Sequence, residues 1–164
     1  MAAAAGSDEA ANEALLHRFY TAFQALDADG MNACYAPDAS FSDPVFQRLT
    51  GDRARAMWRM LASRSKGIEL TYEIGAVDGA GGAATWVARY EFSATGRQVE
   101  NHVSSAFQIA GGRITRQDDS FDLWRWAAMA LGPRGLLLGW LPPVQASIRK
   151  QAAANLDRFV QQQG

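Results

Sequence analysis

The stretch that decides the fold is ELTYEIGAVDGAGGAATWVARYEFSATGRQVENHVSSAFQIAGGRITRQDDSFD, residues 69–122. It divides into four β-rich runs, which the turn clusters DGAGG, ATG and GG separate. Connections this short join antiparallel neighbours, so the runs predict a meander. One face of such a sheet packs on a core and the other faces outward, with alternate residues on each. The predicted strands are Glu69–Val77, Ala84–Ser93, Gln98–Ala110 and Arg113–Asp122.

Helical patterns flank this meander on both sides. Apolar residues recur there at the spacing of an amphipathic helix. The predicted order is α-α-β-α-β-β-β-β-α-α, an α+β domain with helices laid against one curved sheet. The flanking elements are a first helix capped by Ser7, a helical turn over Met31–Cys34, a strand over Ala39–Val45, a helix opened by Gly51 and Asp52, and helices over Leu123–Leu131 and Pro142–Gln162.

The composition indicates one globular domain. The chain has 164 residues, of which 48% are hydrophobic and 20% charged, with a net charge of −1. That balance excludes general disorder and argues against a nucleic-acid partner, which requires a concentrated basic face. The single cysteine, Cys34, excludes an internal disulfide and a Cys-rich metal site. His17 and His102 lack the spacing of metal ligands, so we predict no metal.

The ends of the chain carry no targeting signal that we can identify. The first ten residues lack a basic region, and we expect residues 1–6 to be a frayed start. The apolar run Gly135–Pro143 is far shorter than the roughly 20 residues of a membrane span. We therefore predict a cytoplasmic protein with no membrane partner.

Two motifs carry a resemblance to a known family. YAPDASFSDPV (residues 35–45), followed by a glycine-led helix, and a last strand ending in GGRITRQDDSFD (residues 111–122) resemble the nuclear transport factor 2-like superfamily. Within it, the sequence looks most like the SnoaL-like and ketosteroid-isomerase-like branch. The resemblance covers about residues 12–131. It implies a cone-shaped barrel, in which N-terminal helices close a strongly bent, mainly antiparallel sheet around an apolar pocket.

The resemblance also implies a domain division and partners. We expect a SnoaL-like domain over residues 1–131 and a C-terminal apolar loop and amphipathic helix over residues 132–164. The extension covers either the pocket mouth or a neighbouring subunit, or else braces its own domain. A small apolar ligand and a homodimer formed through the outer sheet face are the expected partners, and no cofactor is expected.

Two carboxyl groups are the candidate catalytic residues. Asp43 matches the carboxylate that ketosteroid isomerases use as a general base, and Asp119 matches the acid/base carboxylate of SnoaL-type polyketide cyclases. Two carboxyl groups in one cavity separate their pKa values, which gives one acid and one base. Each residue has a structural alternative: Asp43 as the start of an Asp-Pro turn, and Asp119 as the partner of an arginine.

Further residues are predicted to contact the substrate. The resemblance implies that Asp43 points inward, and strand alternation counted from it turns uncharged polar and aromatic side chains toward the pocket. These groups can orient a carbonyl or a water, although cross-strand hydrogen bonding and core packing are the alternatives. The same alternation places Arg89, His102 and Asp118 outside. The predicted substrate-binding residues are Asn101, Tyr90, Trp86, Ser105, Gln117, Phe19, Tyr35 and Trp58.

The departures from the family patterns limit the function. Phe19 and Ser105 replace the tyrosine and the aspartic acid of the ketosteroid isomerase oxyanion hole, so this is not a strict ketosteroid isomerase. An epoxide hydrolase of the limonene type needs an Asp–Arg–Asp relay, and no inward arginine stands out. A scytalone-type dehydratase needs two inward histidines, whereas here one of the two histidines lies on a predicted helix and the other, His102, is predicted to face outward.

The sequence therefore favours cofactor-independent acid/base catalysis of the isomerase, cyclase or hydrolase type. The substrate is predicted to be a small apolar carbonyl, enol or epoxide compound. The alternatives are a small-molecule-binding module without turnover and a dimeric interaction module.

Overall fold

The fold is built on one mixed sheet of six strands. The computed structural model describes the backbone of residues 2–164 and the side chains of residues 5–164. Its strands are β1 (Tyr35–Ser42), β2 (Leu49–Thr50), β3 (Glu69–Asp78), β4 (Gly81–Phe92), β5 (Arg97–Ala110) and β6 (Arg113–Ser120). Their order is β2-β1-β6-β5-β4-β3. All neighbours are antiparallel except β1 and β6, which run parallel.

Helices precede, interrupt and follow this sheet. They are α1 (Ala2–Gln24), α2 (Ala28–Ala33), α3 (Asp52–Arg64), α4 (Leu123–Leu131), α5 (Pro133–Leu138) and α6 (Pro142–Gln163). Asp27 caps α2 by accepting from the Gly30 N–H at 2.9 Å, and Asp122 caps α4 by accepting from the Arg125 N–H at 3.0 Å. Within the described residues, no helix combines the length and apolar character needed to cross a bilayer.

The α+β class and the antiparallel meander are confirmed, and several boundaries are corrected. The first strand ends at Ser42, so Asp43 lies in the loop that follows it. The first helix begins at Ala2 rather than being capped by Ser7, while Met1 lies outside the described residues and the frayed start of residues 1–6 remains a prediction. The short β2 and α5 had no counterpart in the prediction. The sheet keeps two free edges, at β2 and β3, and is not a hydrogen-bonded closed barrel.

The apolar core has two parts. The larger cluster packs α1, α2 and α3 on the sheet and contains Phe19, Met57 and Trp58. The smaller one joins α4 to β5 through Trp126 and Val99. Along β5, residues alternate strictly between buried and exposed from Val99 to Ala110, apart from half-buried Glu100, because one face covers these clusters and the other faces outward.

The C-terminal extension packs on its own domain. Leu156 and Phe159 of α6 are buried in the larger cluster, and α6 contacts α3. Arg53 of α3 pairs with Asp157 at 2.7 Å, and Arg149 donates from Nε to the Pro44 carbonyl at 2.8 Å. These contacts seat α6 beside the loop that carries Asp43. The division at residue 131 remains a prediction.

Candidate active site

A cavity of about 540 Å³ lies between the two apolar clusters. That volume is in the range of pockets that enclose a drug-sized molecule. Its wall is mostly apolar and combines residues of α3, the sheet, α4 and α6. Six of the predicted site residues line it: Asp43, Trp58, Trp86, Tyr90, Asn101 and Asp119.

Asp119 is the most deeply held carboxyl group in this wall. It lies on β6 and is 8% exposed. Ser105 donates to its Oδ1 from Oγ at 2.6 Å, and Gln117 donates to the same oxygen from Nε2 at 3.0 Å. Burial raises the pKa of Asp119 to about 7, against the effect of these two hydrogen bonds, while the charge of Asp43 adds to the increase. A carboxyl group with this pKa can give or take a proton near neutral pH.

Two lines of hydrogen bonds, each made of linked donors and acceptors, end on Oδ1 of Asp119. Trp58 donates from Nε1 to the Tyr35 hydroxyl at 2.9 Å, and Tyr35 donates to Gln117 Oε1 at 2.6 Å. In the second line, Trp86 donates from Nε1 to Ser105 Oγ at 2.9 Å. An indole N–H can only donate, so each tryptophan fixes the direction of its line. Both lines therefore deliver donors to Oδ1 of Asp119, which leaves Oδ2 as the oxygen that carries the proton.

Asp43 is held by the backbone instead. Its Oδ1 accepts from the N–H groups of Val45 at 2.7 Å and Phe46 at 2.6 Å, which is a turn-forming arrangement. Burial raises the pKa of Asp43 to about 6, and the two backbone hydrogen bonds oppose that increase. Asp43 thus starts a turn and lines the cavity at the same time, so the two predicted roles coexist.

Tyr90 and Asn101 supply uncharged polar groups to the wall. The Tyr90 hydroxyl accepts from Trp126 Nε1 at 2.9 Å, so its own hydrogen stays available as a donor. Burial raises the pKa of Tyr90, and the charge of Asp43 adds to that increase. The Asn101 side chain is buried and makes no hydrogen bond to another described residue. Both groups can hold the polar end of a ligand.

The remaining predicted substrate contacts stand behind the wall and not in it. Phe19 is 1% exposed and packs against the rings of Tyr35 and Trp58. Tyr35, Ser105 and Gln117 are buried in the hydrogen-bond lines that support Asp119. We correct their placement accordingly: strand alternation gives the face on which a residue lies, but not its depth behind a cavity.

Sequence reasoning missed some residues of the site. Tyr20 is buried behind the cavity wall, close to Ser105. Burial and the charge of Asp119 raise its pKa. Its spacing of four residues after Leu16 was a usable helical signal. Covering of the pocket is one of the alternatives predicted for the extension, without residues assigned to it. α6 contributes five residues to the wall: Ser147, Ile148, Gln151, Ala152 and Asn155.

Several charged residues lie outside the site, as alternation predicts. Arg89 pairs with Glu100 at 2.9 Å and with Glu69 at 3.3 Å. His102 contacts Glu100 at 2.8 Å, and Asp118 pairs with Arg116 at 2.6 Å. His17, on α1, hydrogen-bonds the Tyr72 hydroxyl with its side chain about half exposed. Arg89 therefore does not supply the arginine of a limonene-type epoxide hydrolase relay. His17 and His102 do not form the inward histidine pair of a scytalone-type dehydratase.

A mixed sheet with helices packed around an apolar cavity places this protein in the nuclear transport factor 2-like fold. A family model for the SnoaL-like domain matches residues 16–117, which is more than half of the chain. The chain therefore belongs to the SnoaL-like domain family. No curated protein is significantly similar to it.

Solved structures show the same fold. A protein from a Silicibacter species, provisionally assigned as a polyketide cyclase, is 25% identical with a TM-score of 0.65, covering 71% of this chain and 93% of its own. An LEH-like epoxide hydrolase from M. tuberculosis is 27% identical with a TM-score of 0.58, covering 84% and 98%. A ketosteroid isomerase-like protein from Erwinia carotovora, at 19% identity and a TM-score of 0.60 over 70% and 95%, shows the fold alone.

Proposed function

We propose that this protein binds a small apolar carbonyl, enol or epoxide compound and moves a proton on it without a cofactor. The observation that carries this proposal is the carboxyl group of Asp119: buried in a cavity wall, held on one oxygen, with a pKa of about 7. Structural packing alone does not require a carboxyl group there, since burial disfavours its charged form. In this proposal the helices and the bent sheet together enclose the ligand.

The wall residues have separate roles in this proposal. Asp119 takes or gives the proton through Oδ2, and Asp43, whose pKa is about 6, is the second acid/base group. Tyr90 and Asn101 donate to the oxygen of the ligand. General acid–base catalysis of this kind contributes about 10²- to 10⁴-fold, which suits a substrate whose α-hydrogen is already acidic.

Cyclase- or isomerase-type chemistry fits this site better than epoxide hydrolysis. A relay of the limonene epoxide hydrolase type needs an arginine between two carboxylates. Arg89 is engaged with Glu69 and Glu100 on the outer face, and Arg64, which lines the cavity, is an exposed residue at the end of α3. The solved structures do not separate the two reactions, because one neighbour is provisionally assigned as a polyketide cyclase and another is an LEH-like epoxide hydrolase, so the choice depends on the arginine. An activated α-hydrogen is common in polyketone compounds, so we favour a substrate of that class.

Exchange of α-hydrogens with deuterated solvent tests the proposal without knowledge of the natural substrate. With 2-tetralone as the probe, the protein should accelerate exchange, measured by NMR. Asp119→Asn should reduce the acceleration by about 10²- to 10⁴-fold. Asp118→Asn is the matched control, because this adjacent carboxylate pairs with Arg116 outside the cavity. Equal exchange by wild type and Asp119→Asn would refute the assignment.

A binding module without turnover is the alternative, and the apolar character of the cavity wall favours it as much as it favours an enzyme. 2-Naphthol, which fluoresces, measures binding separately from exchange. Saturable binding of 2-naphthol that Trp86→Ala weakens, combined with exchange of 2-tetralone no faster than in buffer alone, would support the module and count against the enzyme.

We also propose a homodimer through the outer sheet face and a cytoplasmic location. Small side chains on the exposed positions of β4 and β5, Thr85, Ser104 and Ala106, allow a second sheet to approach closely. Light scattering should show a dimer that Ala106→Arg disrupts, whereas Gln161→Arg on α6 leaves it intact. The single free thiol, Cys34, suits a reducing compartment.

A further inference from the structure

Five large apolar side chains form an exposed surface at the α4–α5 junction. They are Trp124 of α4, Leu136, Leu137 and Leu138 of α5, and Trp140 just after it; we call this group the apolar tip. Between 44% and 69% of each side chain is exposed. Clustered exposed side chains of this kind mark a site of interaction, whereas single ones do not.

The apolar tip has its polar groups satisfied internally. Trp124 donates from Nε1 to the Leu136 carbonyl at 3.0 Å, and Trp140 donates from Nε1 to the Leu137 carbonyl at 3.0 Å. Carbonyls at the end of a helix otherwise need water. Pro142 and Pro143, which follow, carry no N–H. The tip can therefore be buried away from water while its indole N–H groups and the Leu136 and Leu137 carbonyls keep their hydrogen bonds.

The surroundings of the tip are basic. Arg125 of α4 and Arg134 of α5 belong to the two helices that form the tip, where Asp122, the cap of α4, is the neighbouring acidic residue in sequence. Arg97 of β5 adds a further cation at the α4–α5 junction, where it donates from Nε to the Met129 carbonyl at 2.9 Å. Apolar and aromatic side chains next to arginine and lysine are the composition of a surface that lies in a membrane interface.

We propose that the apolar tip inserts into the surface of a membrane that contains anionic lipids. The tryptophan and leucine side chains would enter the interface, and the neighbouring arginines would contact the lipid phosphates. A symmetric contact with a second copy would set these basic residues against each other, so charge favours the lipid. The expectation of no membrane partner depended on the length needed to span a bilayer, and adsorption needs no span.

Co-flotation with vesicles tests this proposal on the full chain. Wild type should float with vesicles of phosphatidylcholine and phosphatidylglycerol and not with phosphatidylcholine alone, and added salt should weaken the binding. Leu137→Ser combined with Trp140→Ser should lower the partition coefficient at least about tenfold, because the buried apolar surface is lost. Val160→Ser is the control, since Val160 is exposed to 40% on α6.

A charge variant and a measurement on the unmodified chain complete the test. Arg134→Gln should lower binding several-fold, while Arg59→Gln, an exposed change on α3, should not. Tryptophan fluorescence of the wild type should be quenched by brominated lipid. No flotation with anionic vesicles, equal flotation with both lipids, or no effect of the tip variants would overturn the proposal. Self-association that the tip variants abolish, without flotation, would identify a second copy as the partner.

Discussion

Asp119 and Asp43 both line one cavity, but different parts of the chain hold them. Asp119 is fixed by side chains from β5 and β6, whose positions the strand register sets. Asp43 is fixed by two backbone N–H groups of its own loop. The first arrangement requires several residues from distant parts of the sequence, and the second requires only the carboxylate itself. We therefore expect Asp119 to be the more sensitive to substitution around it and Asp43 the more tolerant.

The largest expected effect concerns stability and pH. The pKa of Asp119 rises from 3.8 to about 7 on folding, so between these values the unfolded chain loses a proton that the native protein keeps. Stability must then fall as the pH rises through this window, by up to about 4 kcal/mol. In urea unfolding, the free energy of unfolding of Asp119→Asn relative to that of wild type should increase by on the order of 2–4 kcal/mol between pH 4 and pH 8. A pH-independent difference would contradict the buried carboxyl group, and Asp118→Asn is the control.

Substitution of the residues that hydrogen-bond to Asp119 should have the next largest effect on stability. Gln117→Leu removes a donor from Oδ1 and leaves the buried Tyr35 hydroxyl without its acceptor. We expect a loss of about 1–3 kcal/mol in the free energy of unfolding. The pKa of Asp119 should also rise further, which moves the pH midpoint of 2-tetralone exchange upward. Tyr35→Phe on its own removes the acceptor of Trp58 Nε1, and the double variant should lose less stability than the sum of the two single losses. Strictly additive losses would show that the two groups are not coupled.

The smallest effect is expected in the loop. Asp43→Ala removes the acceptor for the Val45 and Phe46 N–H groups and should cost about 1 kcal/mol. Asp43→Asn keeps an oxygen in that position, so its melting temperature should stay close to that of wild type, while 2-tetralone exchange falls. If Asp43→Asn destabilised the fold as much as Gln117→Leu, the proposed contrast between the two carboxyl groups would be wrong.

The sequence predicted the meander because turn clusters and alternation are local signals. It could not give depth: alternation placed Asp119 and Gln117 on the same face, and only packing shows that one lines the cavity while the other stands behind it. Asp43 lines the cavity, as predicted, but it does so from the loop after β1 and not through strand alternation. The helical pattern predicted α6, but the choice among the alternatives for the extension depends on contacts between distant segments, which no local pattern encodes.

The one-way direction of the two hydrogen-bond lines has a consequence for the amide variant. In Asp119→Asn, the Ser105 hydroxyl and the Gln117 NH₂ group still donate toward the position of Oδ1, so the amide oxygen must accept there and the new NH₂ group must turn into the cavity. The variant would then be a permanent donor facing the ligand, unable to remove a proton but well suited to hold a ketone or an enolate oxygen. Such an arrested form would capture the natural ligand from a mixture and allow its chemical identification.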